Sequence, residues 1–333
     1  MIGLSISNGG ESNWVDDRRD DQKEEGVQKV AVIQSASVPF DADASTSKAE
    51  RFIEQAATQG AKLVVFPEAF IGGYPKGSAF GAAVGFRTPR GREEFLRYSN
   101  GAVTLDGPEV GRLIKASRDH NVSMVIGVVE RAGNTLYCTA LLISPDDGLV
   151  GKHRKLMPTG IERLVWGFGD GSTLDTMDSP VGKVGSVICW ENYMPLMRQA
   201  MYAKGVQIYC APTADDRPAW QASMTHIALE GRVFVLSACQ YLTRDDFPED
   251  HPVDFEPPNG DILMRGGSII VDPLGEVLAG PVFDEETILY ADIDLDQKTK
   301  GHLDFDAVGH YARPDVFSLT VNTEPMDSVT FEN

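Results

Sequence analysis

Cysteine is scarce. The 333 residues hold only four, Cys138, Cys189, Cys210 and Cys239, widely spaced, with no CxxC pair and no His cluster at metal-ligand spacing. That excludes a disulfide framework, argues against a structural metal, and points to a reducing, cytoplasmic compartment. Long apolar runs are missing as well: none approaches the roughly 20 residues of a spanning helix. The start of the chain, with Asn8, Gly9, Gly10 and Glu11, has no basic region followed by an apolar stretch, so neither a membrane span nor an export signal is expected. Positive charge is in deficit, with 30 Lys and Arg against 49 Asp and Glu and a net charge of -19. Such a balance repels phosphate backbones and anionic lipid, so nucleic acid and membrane surfaces are not expected partners. Much of the excess falls in segments that read as tails and loops, such as Asp16, Asp17, Asp20, Asp21, Glu24 and Glu25, and Asp245, Asp246, Glu249, Asp250, Asp254 and Glu256. A solvated acidic surface accounts for it.

What is present is ordinary for a globular chain. At 42% hydrophobic residues there is ample material for a large core, which excludes collagen, coiled coil and wholesale disorder. Residues 1–28 are polar, acidic and without sustained periodicity and read as a flexible leader. Then strands and helices alternate. Val30 to Gln34 is an apolar strand, and Ala49, Phe52, Ile53, Ala56 and Ala57 recur at helical spacing before Gly60. Leu63 to Phe66 is a second strand, Val110, Leu113 and Ile114 mark a helix, and Val122–Val129, Leu136–Ile143 and the stretch from Leu149 read as strands joined by hairpin turns. Further on come strands Val184–Ile188, Ile208–Ala211 and Phe234–Ala238, a helix around Trp220–Glu230, and a hairpin about Pro273-Leu274-Gly275. Residues 244–265, rich in Asp, Glu and Pro, read as a long surface loop. The whole reads as one α/β layered domain over 29–320, followed by a short acidic tail at 321–333. The alternation alone does not separate a doubly wound sheet from other layered α/β folds.

Strand ends are where open α/β sheets bind ligands, and three of them carry chemistry. Glu68 follows Leu63 to Pro67, Lys155 follows the strand from Leu149, and Cys189 follows Val184 to Ile188. A carboxylate can take a thiol proton, the thiolate can attack an unsaturated carbon, and an ammonium can stabilise the charge that develops. By spacing alone, Glu68 and Lys155 could equally be solvated charges beside turns. Cys138, Cys210 and Cys239 lie inside strand patterns and read as core.

The local sequences carry more than spacing does. Phe66-Pro67-Glu68-Ala69-Phe70, His153-Arg154-Lys155-Leu156-Met157-Pro158-Thr159 and Cys189-Trp190-Glu191-Asn192 occur in that order and resemble the Glu, Lys and Cys motifs of the nitrilase superfamily. The stretch Pro158 to Gly167 and the Cys-Trp-Glu motif are similar to true nitrilases rather than to the amidase and carbamoylase branches. Ile71-Gly72-Gly73-Tyr74-Pro75, Met201 to Gly205, Ala211 to Asp215 and Met224 to Glu230 resemble plant-type nitrilases, including those acting on cyanoalanine. The tail after Pro314 departs from that pattern in being short and acidic.

The resemblance implies a four-layer αββα sandwich, a homodimer or higher homo-oligomer such as a spiral, and hydrolysis of an organic nitrile by water to a carboxylic acid and ammonia, without cofactor or metal. Carried over, Glu68 is the general base, Cys189 the nucleophile, Lys155 the stabiliser of the tetrahedral species and Glu162 a second carboxylate beside it. Tyr74, Thr159 and Trp190 become substrate-binding walls, and the Trp190 N–H an oxyanion donor with Lys155. Trp166 reads as structural, His226 as a buried histidine, His153 and Arg154 as a basic strand end paired with acids, Arg163 as a salt-bridge partner of Glu162, and Glu191 as a structural carboxylate. The rivals are an amidase or carbamoylase, sharing the trio but cleaving amides, and a nitrile hydratase-like outcome that releases amide.

Overall fold

The computed structural model describes residues 26–253, 256–327 and 329, so most of the acidic leader and the end of the tail lie outside the described residues. In chain order the first half comprises β1 (Val27–Gln34), α1 (Ala42–Thr58), β2 (Ala61–Val65), a small hairpin of β3 (Ala82–Ala83) and β4 (Phe86–Arg87), α2 (Pro89–Asn100), α3 (Pro108–His120), β5 (Ser123–Ala132), β6 (Thr135–Ser144) and β7 (Gly148–Arg154). The second comprises β8 (Thr176–Ser179), β9 (Gly182–Ser186), α4 (Pro195–Ala203), β10 (Ile208–Cys210), α5 (Ala219–Gly231), β11 (Phe234–Ser237), β12 (Tyr241–Thr243), β13 (Ile262–Val271), β14 (Val277–Phe283), β15 (Thr287–Asp294) and α6 (Asp296–Gly301).

Side chains alternate across a strand, and here both faces are apolar, which forces cover on both sides. Val30, Val32, Leu63, Val65, Ala140 and Leu142 face inward and meet Val184, Ile208, Phe234, Leu236 and Ile270 of the other sheet. Their neighbours Ala31, Ile33, Val64, Met124 and Ile126 face outward under Phe52 and Ile53 of α1 and Val110 and Leu113 of α3. On the far side Tyr209, Val235, Ile269 and Val271 lie under Met197 and Met201 of α4 and Trp220 and Met224 of α5. Helix, sheet, sheet, helix is therefore the layer order, as the sequence motifs imply.

The first sheet runs β15-β1-β2-β5-β6-β7 and the second β12-β13-β11-β10-β9-β8, with β14 added on β13. Strands β1, β2 and β5 are parallel, and two antiparallel steps through β6 bring β7 into the same direction. In the second sheet β9, β10 and β11 are parallel. The carboxyl ends of β2 and β7, followed by Glu68 and Lys155, thus open at one end of the first sheet.

Two sequence expectations need correction. The stretch 244–265 is not a surface loop throughout: Arg244–Asp246 forms a 3-10 turn, and Ile262 to Arg265 begin β13. Phe247 and His251 are buried, stacked at 4.1 Å and packed on Phe40, so two aromatic anchors outweigh an acidic, proline-rich composition. Val27 and Gln28, read as leader, already pair with Asp294 and Ile293 of β15. Helix α2, α4 and strand β15 have no counterpart in the sequence reading. Among the described residues no helix is long and apolar enough to cross a membrane.

Candidate active site

Each predicted residue is held by its own local device. After β2 the chain turns at Glu68, with Ala69 in the left-handed region at φ 50°. Gly127 of β5 lies against this turn, where a Cβ would run into the Pro67 carbonyl and the Glu68 backbone, so only glycine allows the approach. The Gln240 side-chain amide donates to the Glu68 carbonyl at 3.0 Å and fixes the turn from the second sheet. Lys155 is set by its N–H donating to the Cys138 carbonyl at 2.8 Å.

Cys189 opens a 3-10 helix, Cys189–Tyr193, at φ 51°. That conformation is costly for a residue with a Cβ, and several bonds hold it. The Cys189 N–H donates to the Pro212 carbonyl at 2.8 Å, and Asn192 Nδ2 donates to the carbonyls of Val187 and Cys189 at 2.9 and 2.8 Å. Glu191 ties the two sheets together. Its carboxylate accepts from the Leu156 N–H at 2.6 Å and the Ile188 N–H at 3.0 Å, and lies 2.9 Å from His153 Nε2. Glu191 is thus a structural carboxylate, and His153 pairs with it as the sequence suggests.

Glu68, Lys155 and Glu162 converge. The buried Lys155 ammonium donates to Glu68 Oε1 at 2.6 Å and to Glu162 Oε2 at 2.7 Å. Glu162 is held further by the Tyr74 hydroxyl on Oε1 at 2.7 Å and the Thr159 N–H on Oε2 at 2.6 Å. One ammonium between two buried carboxylates leaves the cluster short of positive charge. Burial, reinforced by the Glu162 charge, raises the Glu68 carboxyl above its usual range despite Lys155. Burial alone would pull the Lys155 ammonium down, but Glu68 and its neighbours hold it well above the ordinary lysine value. Burial and the charge of Glu68 push the Cys189 thiol up to about 12, so it rests protonated and needs a base. Thr213 Oγ1 donates to its sulfur at 3.3 Å. Glu68 Oε2 is buried with no hydrogen-bond partner among the described residues.

A cleft of about 200 Å³ leads to the thiol, lined by Tyr74, Thr159, Glu162, Trp190, Lys76 and Arg217 among others. Trp190 is 41% exposed and a wall, its indole N–H donating to Asp215 at 2.8 Å and its ring under Arg217 at 5.0 Å. The Trp190 backbone N–H has no intramolecular acceptor among the described residues. Trp166 is buried behind Tyr74 and donates to the Tyr98 hydroxyl at 3.0 Å, a structural role as expected.

Two expectations fail. Arg163 does not hold Glu162; its guanidinium donates to the Pro158 carbonyl at 3.0 Å, while Lys155, Tyr74 and the Thr159 amide surround the carboxylate. His226 is not buried: its side chain is 65% exposed on α5, because the apolar stretch around it places Met224, Ile227 and Ala228 inward instead. Sequence reasoning also missed Cys138, whose thiol meets Glu68, as well as Thr213 and Gln240. Of these, only Thr213 sits in a quoted motif.

The chain is 60% identical over 301 residues to an aliphatic nitrilase of Sinorhizobium fredii, covering 90% of this chain and 97% of that protein. It is 53% identical to Nitrilase 1 of Arabidopsis thaliana, with 91% and 89% covered. A bifunctional nitrilase/nitrile hydratase of Lupinus angustifolius is 52% identical, with 91% and 88% covered. Among solved structures, the Nit3 protein of Saccharomyces cerevisiae, a nitrilase superfamily member, matches with a TM-score of 0.66 at 23% identity, over 86% of this chain and 97% of that one. The NitFhit protein of C. elegans gives 0.68 at 20% identity, over 91% and 69%; both likenesses speak for the fold alone. The carbon-nitrogen hydrolase family model matches residues 29–300, which contain the whole Glu68, Lys155, Glu162 and Cys189 cluster, and the chain belongs to that family.

Proposed function

We propose that this protein is a nitrilase, converting an organic nitrile and two waters to a carboxylic acid and ammonia. The observation that carries the reading is the Lys155 ammonium shared by Glu68 and Glu162 beside the cleft that holds the Cys189 thiol. The names of relatives at 52–60% identity support the nitrile as substrate.

The chemistry follows from the resting protonation states. Glu68 Oε2 takes the Cys189 proton as sulfur attacks the nitrile carbon and passes it to the nitrile nitrogen, giving a thioimidate and an ionised Glu68. Lys155 and the Trp190 N–H stabilise the negative charge that develops. Water, relieved of a proton by Glu68, adds to give a tetrahedral carbon bearing hydroxyl, amine and sulfur. Breaking C–N with a proton delivered to nitrogen releases ammonia and leaves a thioester, which a second water hydrolyses to acid and free thiol. Breaking C–S instead releases the amide; the bifunctional name of one relative is consistent with some of that product. Tyr74, Thr159 and Trp190 wall the substrate, and Glu162 holds Lys155 in place.

The protein is further read as a homodimer or larger homo-oligomer, supported by exposed Tyr193, Leu196 and Leu229 on and beside α4 and α5. A cytoplasmic location is supported by the four unpaired cysteines. The test of the activity incubates wild type and Cys189→Ala with a nitrile panel and the matching amides, following acid, amide and ammonia together. Acid and ammonia from nitriles, lost in Cys189→Ala with an unchanged circular dichroism spectrum, is the expected outcome. Turnover of amides alone, or persistence in Cys189→Ala, overturns it.

A further inference from the structure

Behind Glu68 stands strand β6, where Cys138 sits between Leu136 and Ala140 on the face between the sheets. The residue is buried and is bonded to two members of the cluster, Glu68 and Lys155. Its carbonyl accepts the Lys155 N–H at 2.8 Å, and its thiol lies 3.4 Å from Glu68 Oε1. The Lys155 ammonium reaches the same oxygen at 2.6 Å, while Oε2 has no partner among the described residues. The two carboxylate oxygens are therefore in opposite situations, one doubly occupied and one bare.

We propose that Cys138 is a positioning residue for Glu68: its thiol and the Lys155 ammonium together saturate Oε1, stop the carboxylate from rotating, and leave Oε2 as the oxygen that takes the Cys189 proton. The terminal torsion of a glutamate is soft and nearly two-fold, so one donor on Oε1 leaves the plane free to swing, and a second one fixes it. Burial and the charge of Glu68 push the Cys138 thiol well above its usual range, so it stays a donor. A hydrogen bond to the charged form favours that form, so removing the thiol makes Glu68 harder to deprotonate. The turnover consequence rests on the nitrilase reading; the geometric one does not. The step balances: the Cys189 S–H bond breaks and an O–H bond forms on Oε2, the sulfur electron pair forms the new S–C bond as one C–N π bond opens onto nitrogen, and the Oε2 proton passes to that nitrogen, which leaves Glu68 ionised again.

The full chain is prepared as wild type, Cys138→Ala and Cys138→Ser. Two readouts are followed against pH: kcat/KM on a nitrile that wild type hydrolyses, and the rate of Cys189 alkylation by iodoacetamide, with the labelled peptide located by mass spectrometry. Loss of the donor in Cys138→Ala lowers kcat/KM about tenfold and moves the acid limb of both profiles up by roughly half a pH unit. Cys138→Ser, which keeps a donor at the same place, restores most of kcat/KM and the position of the limb. Should Cys138→Ala fold poorly, Cys138→Val fills the space without a donor and gives the same shifts. An unshifted acid limb in the variants without a donor, or an equal fall in Cys138→Ala and Cys138→Ser, reduces Cys138 to packing and overturns the proposal. A wild type inert on every nitrile refutes the nitrilase reading, while the alkylation limb still decides on Cys138.

Discussion

Two buried carboxylates lie on neighbouring elements of the first sheet and behave in opposite ways. Glu68 is 1% exposed and Glu130, on β5, is 2% exposed. Each is bound by a cation from the end of β7, Lys155 for the first and Arg154, one residue earlier, for the second. Both oxygens of Glu130 are filled: Lys152 at 3.1 Å and Arg154 Nη2 at 2.5 Å on Oε1, Thr139 at 2.8 Å and Arg154 Nε at 2.9 Å on Oε2. Burial alone would raise its pKa, but those hydrogen bonds and charges win and hold it below the usual carboxylate range. Among the described residues Glu68 has one cation, shared with Glu162, and its Oε2 has no partner; its pKa is raised. Burial does not make a base; burial with incomplete pairing does.

The comparison can be broken most sharply at Lys155. Lys155→Met and Glu68→Gln are each expected to lower kcat by a factor on the order of 10³ or more while the fold persists, read by single-turnover kinetics beside circular dichroism. A loss confined to KM would mean that the cluster only binds substrate. Glu130→Gln should do the reverse, costing about 2 kcal/mol in denaturant unfolding and leaving the activity of the folded enzyme within roughly twofold.

Acid titration separates the two sites without mutation. Glu68 must be ionised to act, and its raised pKa means that kcat/KM falls on acidification above the usual carboxylate range. Glu130 has a depressed folded pKa, so its stabilisation is present above the unfolded value and is lost only as pH falls through the lower folded one. A pH interval should exist in which the protein is folded and inactive, visible as kcat/KM and near-UV circular dichroism midpoints that do not coincide; coincident midpoints would erase the distinction. The smallest effect belongs to Arg163→Ala. Because Arg163 bonds the Pro158 carbonyl and not Glu162, kcat/KM is expected to stay within about threefold, whereas a loss comparable to Lys155→Met would restore the salt bridge that the sequence suggested.

The sequence shows the layered α/β architecture, the apolar strands β1, β2, β5, β6, β7, β9, β10 and β11 and the three strand-end residues, because apolar alternation and the motifs around Glu68, Lys155 and Cys189 are local signals; the short strands β3, β4 and β8 carry no such signal. It mistook 244–265 for loop, since composition averages over a segment while burial of Phe247 and His251 depends on Phe40, two hundred residues away in the chain. It buried His226, since an apolar helical stretch says which residues are inward only once the helix has a neighbour.

Cys138 shows the boundary between the two kinds of information. Its place in an alternating strand was enough to put it in the core, and the chain by itself settled that, because a period of two reports a face. Which group that face meets is a matter of how β2 and β6 flank β5 and where the turn after β2 lands. Residues 68 and 138 become neighbours, and one oxygen of Glu68 stays bare, only because the packed sheets bring them together and exclude water from what remains.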